Sequence, residues 1–291
     1  MKKYRNIGIY TRFFYRKATR RLAFLGNICY NTRENQRLLS NGGALMRDLL
    51  QYMYDTGLGN TVDAVIGYLC LAMEIAVGQW LAKRLNIKRW AALILSGLRW
   101  FVGGNLAAFI YDLHNGFTAY SGFLTMSYVY IPLILAPVYL LFRIKWRTAC
   151  DYLAITLAVF QWPIHIGCIF KSCCHGYESP IGIWNAYLGA YVFPIQIVNV
   201  ITALLTACLL IYIMKKGDFR ASGTLYPLLL VLHGIERLVL DFCRSTRKDL
   251  FGMTYAQLHA IFMIVVGAVV IAVMWSMYRK KQHVPTKMRK T

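Results

Sequence analysis

Three charged residues stand at helical spacing at the end of an apolar stretch near the carboxyl end of the chain. Arg237 and Asp241 are four residues apart, and Arg244 follows Arg237 by seven residues. In a helix this spacing places all three side chains on nearly one face. A guanidinium group is a planar fork that suits a phosphate. The spacing therefore predicts a phosphate-binding stripe, and the alternative is an ion pair that only holds helices together.

Other ionisable residues also fall inside apolar stretches, where a charged side chain costs several kcal/mol and is a functional candidate by default. His165 is open to two interpretations, a histidine that takes part in the chemistry or a core histidine whose ring is hydrogen-bonded. The ionisable residues in apolar stretches are Glu74, Arg99, Asp151, His165, His233, Glu236, Arg237, Asp241 and His259.

Segment 163–176 contains Cys168, Cys173 and Cys174, followed by His175. Zinc sites commonly have two separated cysteine pairs, and this spacing does not provide them. Neighbouring residues such as Cys173 and Cys174 are also not expected to face one ion. A disulfide within this segment therefore ranks above a metal site. We predict neither a metal nor a cofactor.

Seven apolar stretches position these residues. A helix needs about 20 mostly apolar residues to cross a bilayer, and none of the stretches has the alternating pattern of a barrel strand. The sequence therefore predicts an all-α, polytopic membrane protein with seven transmembrane helices. The predicted spans are residues 62–81, 90–111, 122–142, 150–170, 194–214, 223–242 and 255–277.

The composition supports this fold class. The 291 residues are 58% hydrophobic and 15% charged, and the formal net charge is +21. A nucleic-acid-binding protein of this basicity would be rich in charge and poor in aliphatic residues. A disordered basic chain would lack the apolar content. The composition also argues against a soluble enzyme, a collagen-like chain and a disulfide scaffold.

The connections between the predicted spans differ in their basic residues. Lysine and arginine follow the first, third and fifth spans and fill the C-terminal tail. The second connection has neither, the fourth has one, and the sixth has Arg244, Arg247 and Lys248 beside Asp249. Basic residues in short loops mark the cytoplasmic side. We therefore predict a cytoplasmic C-terminus and an external N-terminus of the first span, with the cysteine segment opening an external loop.

Residues 1–45 conflict with that orientation, because they carry ten basic residues and one acidic residue. Such a segment resists export, so it is either an extension held in the cytoplasm or lies upstream of the natural start. Met46 begins Met-Arg-Asp-Leu-Leu, which leads straight into the first span, and we favour this downstream start. The predicted organisation is a basic extension at 1–45, a seven-span membrane domain at 46–278 and a basic cytoplasmic tail at 279–291.

Three motifs, in order along the chain, resemble those of the prolipoprotein diacylglyceryl transferase family. In the first, Asp151 precedes His165 of Ile-His-Ile-Gly-Cys by fourteen residues. The family has an Asp at that distance before the Arg of a Gly-Arg-Ile-Gly-Asn-Phe-x-Asn-Gly signature. In the second, Gln196 of Pro-Ile-Gln-Ile-Val-Asn is similar to the Gln of the family's Pro-x-Gln-Leu-Tyr-Glu.

The third motif is the most specific of the three. The family has Arg-x-x-x-Glu-x-x-Arg, followed by a Gly and by a Gln on the next helix. This chain has Arg237, Asp241 and Arg244, followed by Gly252 and Gln257. The resemblance covers roughly residues 60–280 and implies the family's seven-span fold in the bacterial inner membrane.

The resemblance implies an enzyme that moves a diacylglyceryl group from phosphatidylglycerol to the thiol of a lipobox cysteine in an exported prolipoprotein. The implied partners are phosphatidylglycerol or another anionic phospholipid, the prolipoprotein and the membrane, with no nucleic acid. The implied catalytic residues are His165, Arg237, Asp241 and Tyr120. The implied substrate-binding residues are Arg244, Gln196, Gly167, Asp151, His233 and Gln257. The arginines would hold the leaving phosphate, and one of the two histidines would accept the thiol proton.

The chain departs from the family pattern at several of these positions. His165 stands where the family has Arg, Cys173 and Asp241 stand where it has Glu, and Tyr120 aligns with a family His. Three classes of function therefore stay open. The first is an active transferase, and the second is an altered relative that binds phospholipid or transfers a glyceryl group to another acceptor. The third and least favoured is a transporter or channel, because the sequence has no inverted repeat.

Overall fold

The computed structural model describes residues 42–100, 123–216, 223–244 and 252–282. This part of the chain is mostly helical, with eight helices and one two-stranded sheet. The helices are α1 Gly42–Asp55, α2 Leu58–Leu85, α3 Arg89–Leu98, α4 Phe123–Leu141, α5 Trp146–Phe170, α6 Ile195–Lys215, α7 Leu225–Asp241 and α8 Tyr255–Gln282. The strands are β1 Glu178–Asn185 and β2 Ala190–Val192. The sheet corrects the all-α prediction, because an antiparallel hairpin forms between α5 and α6.

Four helices, α2, α5, α6 and α8, are long and apolar enough to cross a membrane. They account for the predicted spans 62–81, 150–170 and 255–277 and, offset by one residue, 194–214. Three of them, α2, α6 and α8, expose large apolar side chains on their outward faces, among them Val65, Leu69, Leu205 and Val269. Such extended apolar surface marks contact with a membrane or a partner, and its length in these helices indicates a membrane protein.

The other three predicted spans are covered less completely. α3 coincides with only the first part of span 90–111, and residues 101–122 lie outside the described part of the chain. α4 contains a shorter apolar helix over Tyr128–Leu141 and has Pro132 and Pro137 in its interior. α7 has 17 residues and carries the polar groups of the predicted stripe. The count of seven transmembrane helices therefore stays a prediction.

Helix α5 lies at the centre of the described bundle. It is buried along most of its length and packs against α2, α6 and α7. Ala154 and Ala158 are fully buried, and their small side chains let neighbouring helices approach closely. The buried Thr156 hydroxyl donates to the Tyr152 carbonyl at 3.1 Å, so its polar group is satisfied within the helix. The same helix carries His165 and Cys168 near its carboxyl end.

A close contact between α7 and α8 positions the polar end of α7. A Cβ atom on Gly234 would lie 2.7 Å from Ile264 Cγ1 and 2.9 Å from the Ala260 carbonyl oxygen. Only glycine fits at this distance without displacing the neighbouring helix. The contact therefore fixes α7 beside the start of α8.

A separate helix, α1, precedes the first membrane helix, whereas the sequence predicts that Met46 leads straight into the span. Gly57 stands between α1 and α2 in the left-handed conformation, with a φ of 73°, which glycine adopts without strain. Trp184 Nε1 of β1 donates to Gln51 Oε1 of α1 at 3.0 Å. The predicted boundary between residues 45 and 46 falls inside α1, and the three-part organisation of the chain stays a prediction.

The hairpin is tied to the cysteine segment that precedes it. Asn185 Nδ2 donates to the Ser172 carbonyl at 2.9 Å, and the Ala186 N–H donates to Ser172 Oγ at 3.1 Å. The Leu188 N–H donates to Asn185 Oδ1 at 2.9 Å and closes the turn between the strands. These bonds satisfy polar groups that burial would otherwise leave unpaired. The hairpin therefore holds the segment that follows α5.

Candidate functional site

The predicted stripe lies at the carboxyl end of α7, which carries Arg237 and Asp241, and in the turn that follows, which carries Arg244. Arg237, Asp241 and Arg244 are each less than a tenth exposed. Asp241 Oδ1 lies 3.6 Å from Arg237 Nη2 and 4.0 Å from Arg244 Nε. Both separations are ion-pair distances that exceed the length of a hydrogen bond. One carboxylate therefore faces two guanidinium groups, and the stripe has an excess of buried positive charge.

The two guanidinium groups have donors that no described residue accepts. Arg237 Nε and both Arg244 Nε and Nη2 are buried without a hydrogen-bond partner in the described part of the chain. A buried charged donor without an acceptor is costly, and an anionic oxygen removes that cost. The arrangement therefore suits an anion with several oxygens, such as a phosphate.

His165 lies near this stripe, although it belongs to α5. The side chain is buried and within electrostatic range of Arg237, Arg244 and Cys174. Its Nδ1 atom has no hydrogen-bond partner among the described residues. The interpretation as a core histidine with a hydrogen-bonded ring is therefore unsupported at this nitrogen. His165 of α5 therefore lies within electrostatic range of the arginines at the end of α7.

A second buried polar network lies on the same helix as the stripe. His233 Nδ1 lies 3.1 Å from Glu236 Oε2 and 2.9 Å from Gln161 Nε2. The Tyr128 hydroxyl donates to Gln161 Oε1, and the Thr202 hydroxyl donates to Glu236. The Tyr128 and His233 rings stack with centroids 4.3 Å apart. Four helices therefore fix the orientation of the His233 ring.

A capping arrangement at the start of α8 holds Asp241. The Thr254 N–H donates to Gln257 Oε1 at 3.0 Å, and the Gln257 N–H donates to Thr254 Oγ1 at 3.1 Å. This reciprocal pair is a capping box. The Thr254 hydroxyl also donates to Asp241 Oδ2. Gln257, which the sequence places among the substrate-binding residues, therefore acts on the stripe through Thr254.

Asp151 lies away from the stripe. Its carboxylate accepts the backbone N–H groups of Gly223 at 3.0 Å and Leu225 at 3.1 Å. These groups are at the start of α7, where backbone donors have no partner within the helix. Fourteen residues of α5 separate Asp151 from His165, a distance of about 21 Å along a helix. The structure therefore does not bring Asp151 to the arginines, and its contacts position α7.

The remaining predicted site residues occupy separate places. Gly167 faces α2, where an added Cβ would lie 2.2 Å from Asp63 Oδ1, so its small size serves helix packing. Gln196 Nε2, at the start of α6, donates to the Cys173 carbonyl at 2.7 Å. Tyr120 lies outside the described residues. Among these residues, Gln196 supports the cysteine segment beside the stripe.

The thiols of Cys168, Cys173 and Cys174 converge, with their sulfur atoms all within 4.8 Å of one another. All three thiols are free, so the predicted disulfide is not formed in this structure. Hydrogen bonds from Cys168 and Cys173 lower the pKa of the Cys174 thiol well below its ordinary value, and the positive charge of Arg244 acts in the same direction. The segment therefore places a polar, thiol-rich surface next to the stripe.

An apolar groove of about 410 Å³ lies between α4, α7 and α8. Its lining includes Leu133, Leu230, Phe262 and Val266, together with Tyr128. Because Tyr128 also stacks on His233, one side chain connects the groove with the polar network. A concave apolar site of this size suits a hydrocarbon chain.

The comparisons with known proteins decide the family. The family model described as prolipoprotein diacylglyceryl transferase matches residues 69–273, which is more than half of the chain. The chain belongs to the prolipoprotein diacylglyceryl transferase family. Comparisons with curated proteins and with solved structures found no match. Family membership and the four apolar helices together make the chain a membrane protein of a transferase family.

The match confirms the resemblance to the prolipoprotein diacylglyceryl transferase family that the three motifs predict. The matched range contains every predicted site residue, including the stripe of α7 and both histidines. The structure brings Arg237, Asp241 and Arg244 together, places His165 within electrostatic range of both arginines, and places Asp151 elsewhere. The roles of the individual residues stay predictions.

Several side chains of this prolipoprotein diacylglyceryl transferase family member escape prediction from the sequence. The sequence does indicate Glu236 as a candidate, because it is ionisable, lies in an apolar stretch and follows His233 by three residues. The arginine motif of the family, however, gives this residue no role. Uncharged polar residues carry no such signal, because single hydroxyl and amide groups are common in membrane helices. The residues without a signal are Tyr128, Gln161, Thr202 and Thr254.

Proposed function

We propose that the chain is a phospholipid-dependent transferase that moves a diacylglyceryl group from phosphatidylglycerol to a lipobox cysteine of an exported prolipoprotein. The observation that carries the proposal is the pair of buried guanidinium groups, Arg237 and Arg244, that share one carboxylate. Their donors without partners among the described residues suit the oxygens of a lipid phosphate. Family membership supplies the class of reaction.

In the proposed reaction, the acceptor thiol loses its proton and the thiolate attacks the glycerol carbon that bears the phosphate ester. A carbon–sulfur bond forms, the carbon–oxygen bond breaks, and the electron pair leaves with glycerol phosphate. Negative charge grows on the leaving phosphate, where Arg237 and Arg244 stabilise it in a site shielded from water. The base that took the thiol proton then gives it to the departing glycerol phosphate.

His233 is our candidate for the base. We assign the tautomer in which His233 Nδ1 donates to Glu236 Oε2 at 3.1 Å and the Gln161 amide donates to the same carboxylate at 3.4 Å, which leaves Nε2 to accept a proton. That Nε2 atom has no hydrogen-bond partner in the described part of the chain. His165 lies near both arginines, and we assign it to the phosphate, at the position where the family has an arginine.

The apolar groove beside Tyr128 supports a lipid as the donor. It adjoins the helix that carries the stripe, and its lining is almost entirely hydrocarbon. An acyl chain in this groove would be buried with the favourable free energy of apolar contact. The headgroup would then lie toward the polar part of α7.

The experiment that tests the transferase uses purified protein in detergent, phosphatidylglycerol and a lipobox peptide, with thioether product measured by mass spectrometry. We expect product with the wild type and a loss of about 10²–10³-fold in rate for Arg237→Ala, the size of effect seen when a transition-state donor is removed.

The matched control is Arg47→Ala, because Arg47 is exposed and pairs only with the adjacent Asp48 at 2.8 Å among the described residues. We expect this variant to keep the wild-type rate. Transfer by Arg237→Ala at the wild-type rate would contradict the proposal, as would no product from folded wild type.

A second candidate is an altered relative that binds phospholipid or transfers a glyceryl group to another acceptor. His165 favours it, because an imidazole offers fewer donors than the guanidinium of the family's arginine. Native mass spectrometry distinguishes the two candidates. Retained phosphatidylglycerol with no thioether product would favour the altered relative.

We also propose the seven-span arrangement in the bacterial inner membrane, with a cytoplasmic C-terminus and the N-terminus of the first span outside. The distribution of basic residues over the connections supports it. Labelling with a membrane-impermeant maleimide in intact spheroplasts tests it. Tyr187→Cys, on the exposed hairpin turn, should label, and Lys287→Cys in the tail should label only after lysis. The reverse pattern would overturn this orientation.

A further inference from the structure

The three converging thiols are an arrangement that the proposed transfer does not use. Cys168 belongs to the last turns of α5, and Cys173 and Cys174 belong to the segment that follows. Their sulfur atoms nevertheless lie within 4.8 Å of one another. The Cys173 N–H donates to the Cys168 carbonyl at 3.2 Å, so the backbone itself folds back to bring the thiols together.

The backbone explains how two adjacent cysteines face the same point. Ser172 and Cys174 both have left-handed conformations, with φ values of 54° and 55°. Such conformations are unfavourable for residues with a side chain and persist only where the surrounding structure holds them. The sequence-based expectation that Cys173 and Cys174 do not face one ion assumes ordinary backbone, and the left-handed conformations of Ser172 and Cys174 depart from it.

We propose that Cys168, Cys173 and Cys174 bind one soft d¹⁰ cation, Cu(I) or Zn(II), through three thiolates. Thiolates select these ions over harder cations. A metal–sulfur bond of about 2.3 Å places ligating sulfur atoms roughly 3.8–4.0 Å apart. The observed spacing is within about 1 Å of that geometry, which side-chain rotation can supply.

The surroundings of the cluster suit a closed thiolate site. Lys171 and Arg244 lie within electrostatic range and offset the charge of the thiolates. His175 is not among the converging ligands, because its Nδ1 lies 3.3 Å from the Gly176 carbonyl oxygen. Trigonal three-sulfur coordination satisfies Cu(I), whereas Zn(II) would complete its tetrahedron with a water molecule.

The same segment is bonded to the end of α7. Gly176 forms a backbone bridge with Arg244, and the Tyr177 N–H donates to the Cys243 carbonyl at 3.0 Å. A Cβ on Gly176 would lie 2.9 Å from that carbonyl oxygen, so the two backbones are in close contact. A cation held by the thiols would therefore order the segment that braces Arg244. This makes the site structural and separate from the transfer chemistry.

A disulfide is the competing fate of these thiols. Adjacent Cys173 and Cys174 are poor partners, because consecutive Cα atoms are about 3.8 Å apart and disulfides usually join Cα atoms about 4.4–6.8 Å apart. A bond from Cys168 to either of them would leave the third thiol unused. Convergence of all three favours the cation, and the disulfide is an outcome of the test.

The test uses the full chain, purified in detergent under reducing, anaerobic conditions and loaded with Zn(II) or Cu(I) in separate arms. After desalting, elemental analysis should show equimolar metal in at least one arm, and competition with a chromophoric chelator should show which ion binds more tightly. Cys168→Ser and Cys173→Ser should reduce the metal to background. Cys208→Ser is the matched control, because Cys208 is an exposed thiol outside the cluster, and it should retain equimolar metal.

A measurement on the unmodified chain guards against variants that fail to fold. Bound metal should protect the Cys168, Cys173 and Cys174 peptides from iodoacetamide, while Cys208 labels at an unchanged rate. Background metal in both arms would overturn the proposal, as would a disulfide within the cluster in protein prepared without oxidant. Failure of the transferase assay would leave this result intact, because metal content and thiol protection do not depend on turnover.

Discussion

Two groups of buried arginine residues differ in how completely their charges are paired. Arg99 has a carboxylate of its own, Glu74, and its guanidinium lies 4.6 Å from the centre of the Phe160 ring. Arg237 and Arg244 share one carboxylate at ion-pair distances of 3.6 and 4.0 Å, both longer than a hydrogen bond. Burial of charge is common to both groups, so it does not mark a site by itself. We propose that the shared carboxylate of Arg237 and Arg244, which leaves one positive charge in excess, marks the candidate site.

The largest effect on stability is expected at the buried ion pair of Glu74 and Arg99. Glu74→Ala should lower the free energy of unfolding by about 3–5 kcal/mol, because it leaves the Arg99 charge buried and uncompensated. Denaturant unfolding in detergent measures this change. The control is Asp63→Ala, since the pair of Asp63 with Lys171 at 3.4 Å is open to solvent and should contribute about 0–1 kcal/mol. Equal destabilisation by Glu74→Ala and Asp63→Ala would contradict the distinction between the buried pair and the solvent-exposed pair.

Changes to the two arginines that share Asp241 should instead lower the transfer rate. Arg237→Lys keeps the charge but loses the planar fork that grips a phosphate, so the transfer rate should fall by about 10²-fold. The free energy of unfolding should change less than in Glu74→Ala. Steady-state transfer rates and unfolding curves on the same preparations measure both quantities. If Arg237→Lys transferred as fast as wild type, a fork-shaped phosphate contact at this position would be excluded.

A smaller effect is expected at Thr254, which precedes α8 and donates a hydrogen bond to Asp241. Thr254→Val removes the hydroxyl that donates to Asp241, a bond worth about 1 kcal/mol, and the transfer rate should fall by roughly fivefold. Thr254→Ser retains a hydroxyl and should recover most of the rate. Transfer assays on the three proteins show whether the rate follows the hydroxyl. A rate that fell equally in the serine variant would point to packing.

The smallest effect on transfer is expected at Asp151. Asp151→Asn weakens the bonds to the Gly223 and Leu225 N–H groups and should cost about 1 kcal/mol of stability. Because Asp151 is far from the stripe along α5, the transfer rate of the folded protein should stay at the wild-type value. A large loss of transfer with unchanged stability would instead place Asp151 in the substrate site.

Helical spacing explains what could be predicted from the sequence. Arg237 and Asp241 fall on one face of α7 because positions four residues apart are neighbours on a helix, whereas Arg244 follows the end of α7 and still reaches Asp241 from the next turn. Long apolar runs likewise predict α2, α5, α6 and α8. Features that depend on a single helix can therefore be predicted from the sequence alone.

Contacts between distant segments could not be predicted in the same way. Gln161 and His233 are far apart in the sequence, and neither position indicates that they lie 2.9 Å apart. The convergence of Cys173 and Cys174 depends on left-handed backbone, which the residue types do not announce. Helix α1 is amphipathic at helical period but is shorter and less apolar than a membrane span, so a search for long apolar runs passes over it. The hairpin strands are too short to stand out from connecting segments.

The most direct measurement is a cryo-electron microscopy structure of the protein in nanodiscs that contain phosphatidylglycerol. A lipid phosphate should lie within hydrogen-bond distance of both Arg237 and Arg244, with His165 on the same headgroup and an acyl chain in the groove beside Tyr128. A bound headgroup that contacts neither arginine, with both still directed only at Asp241, would contradict the assignment of α7 as the phosphate site.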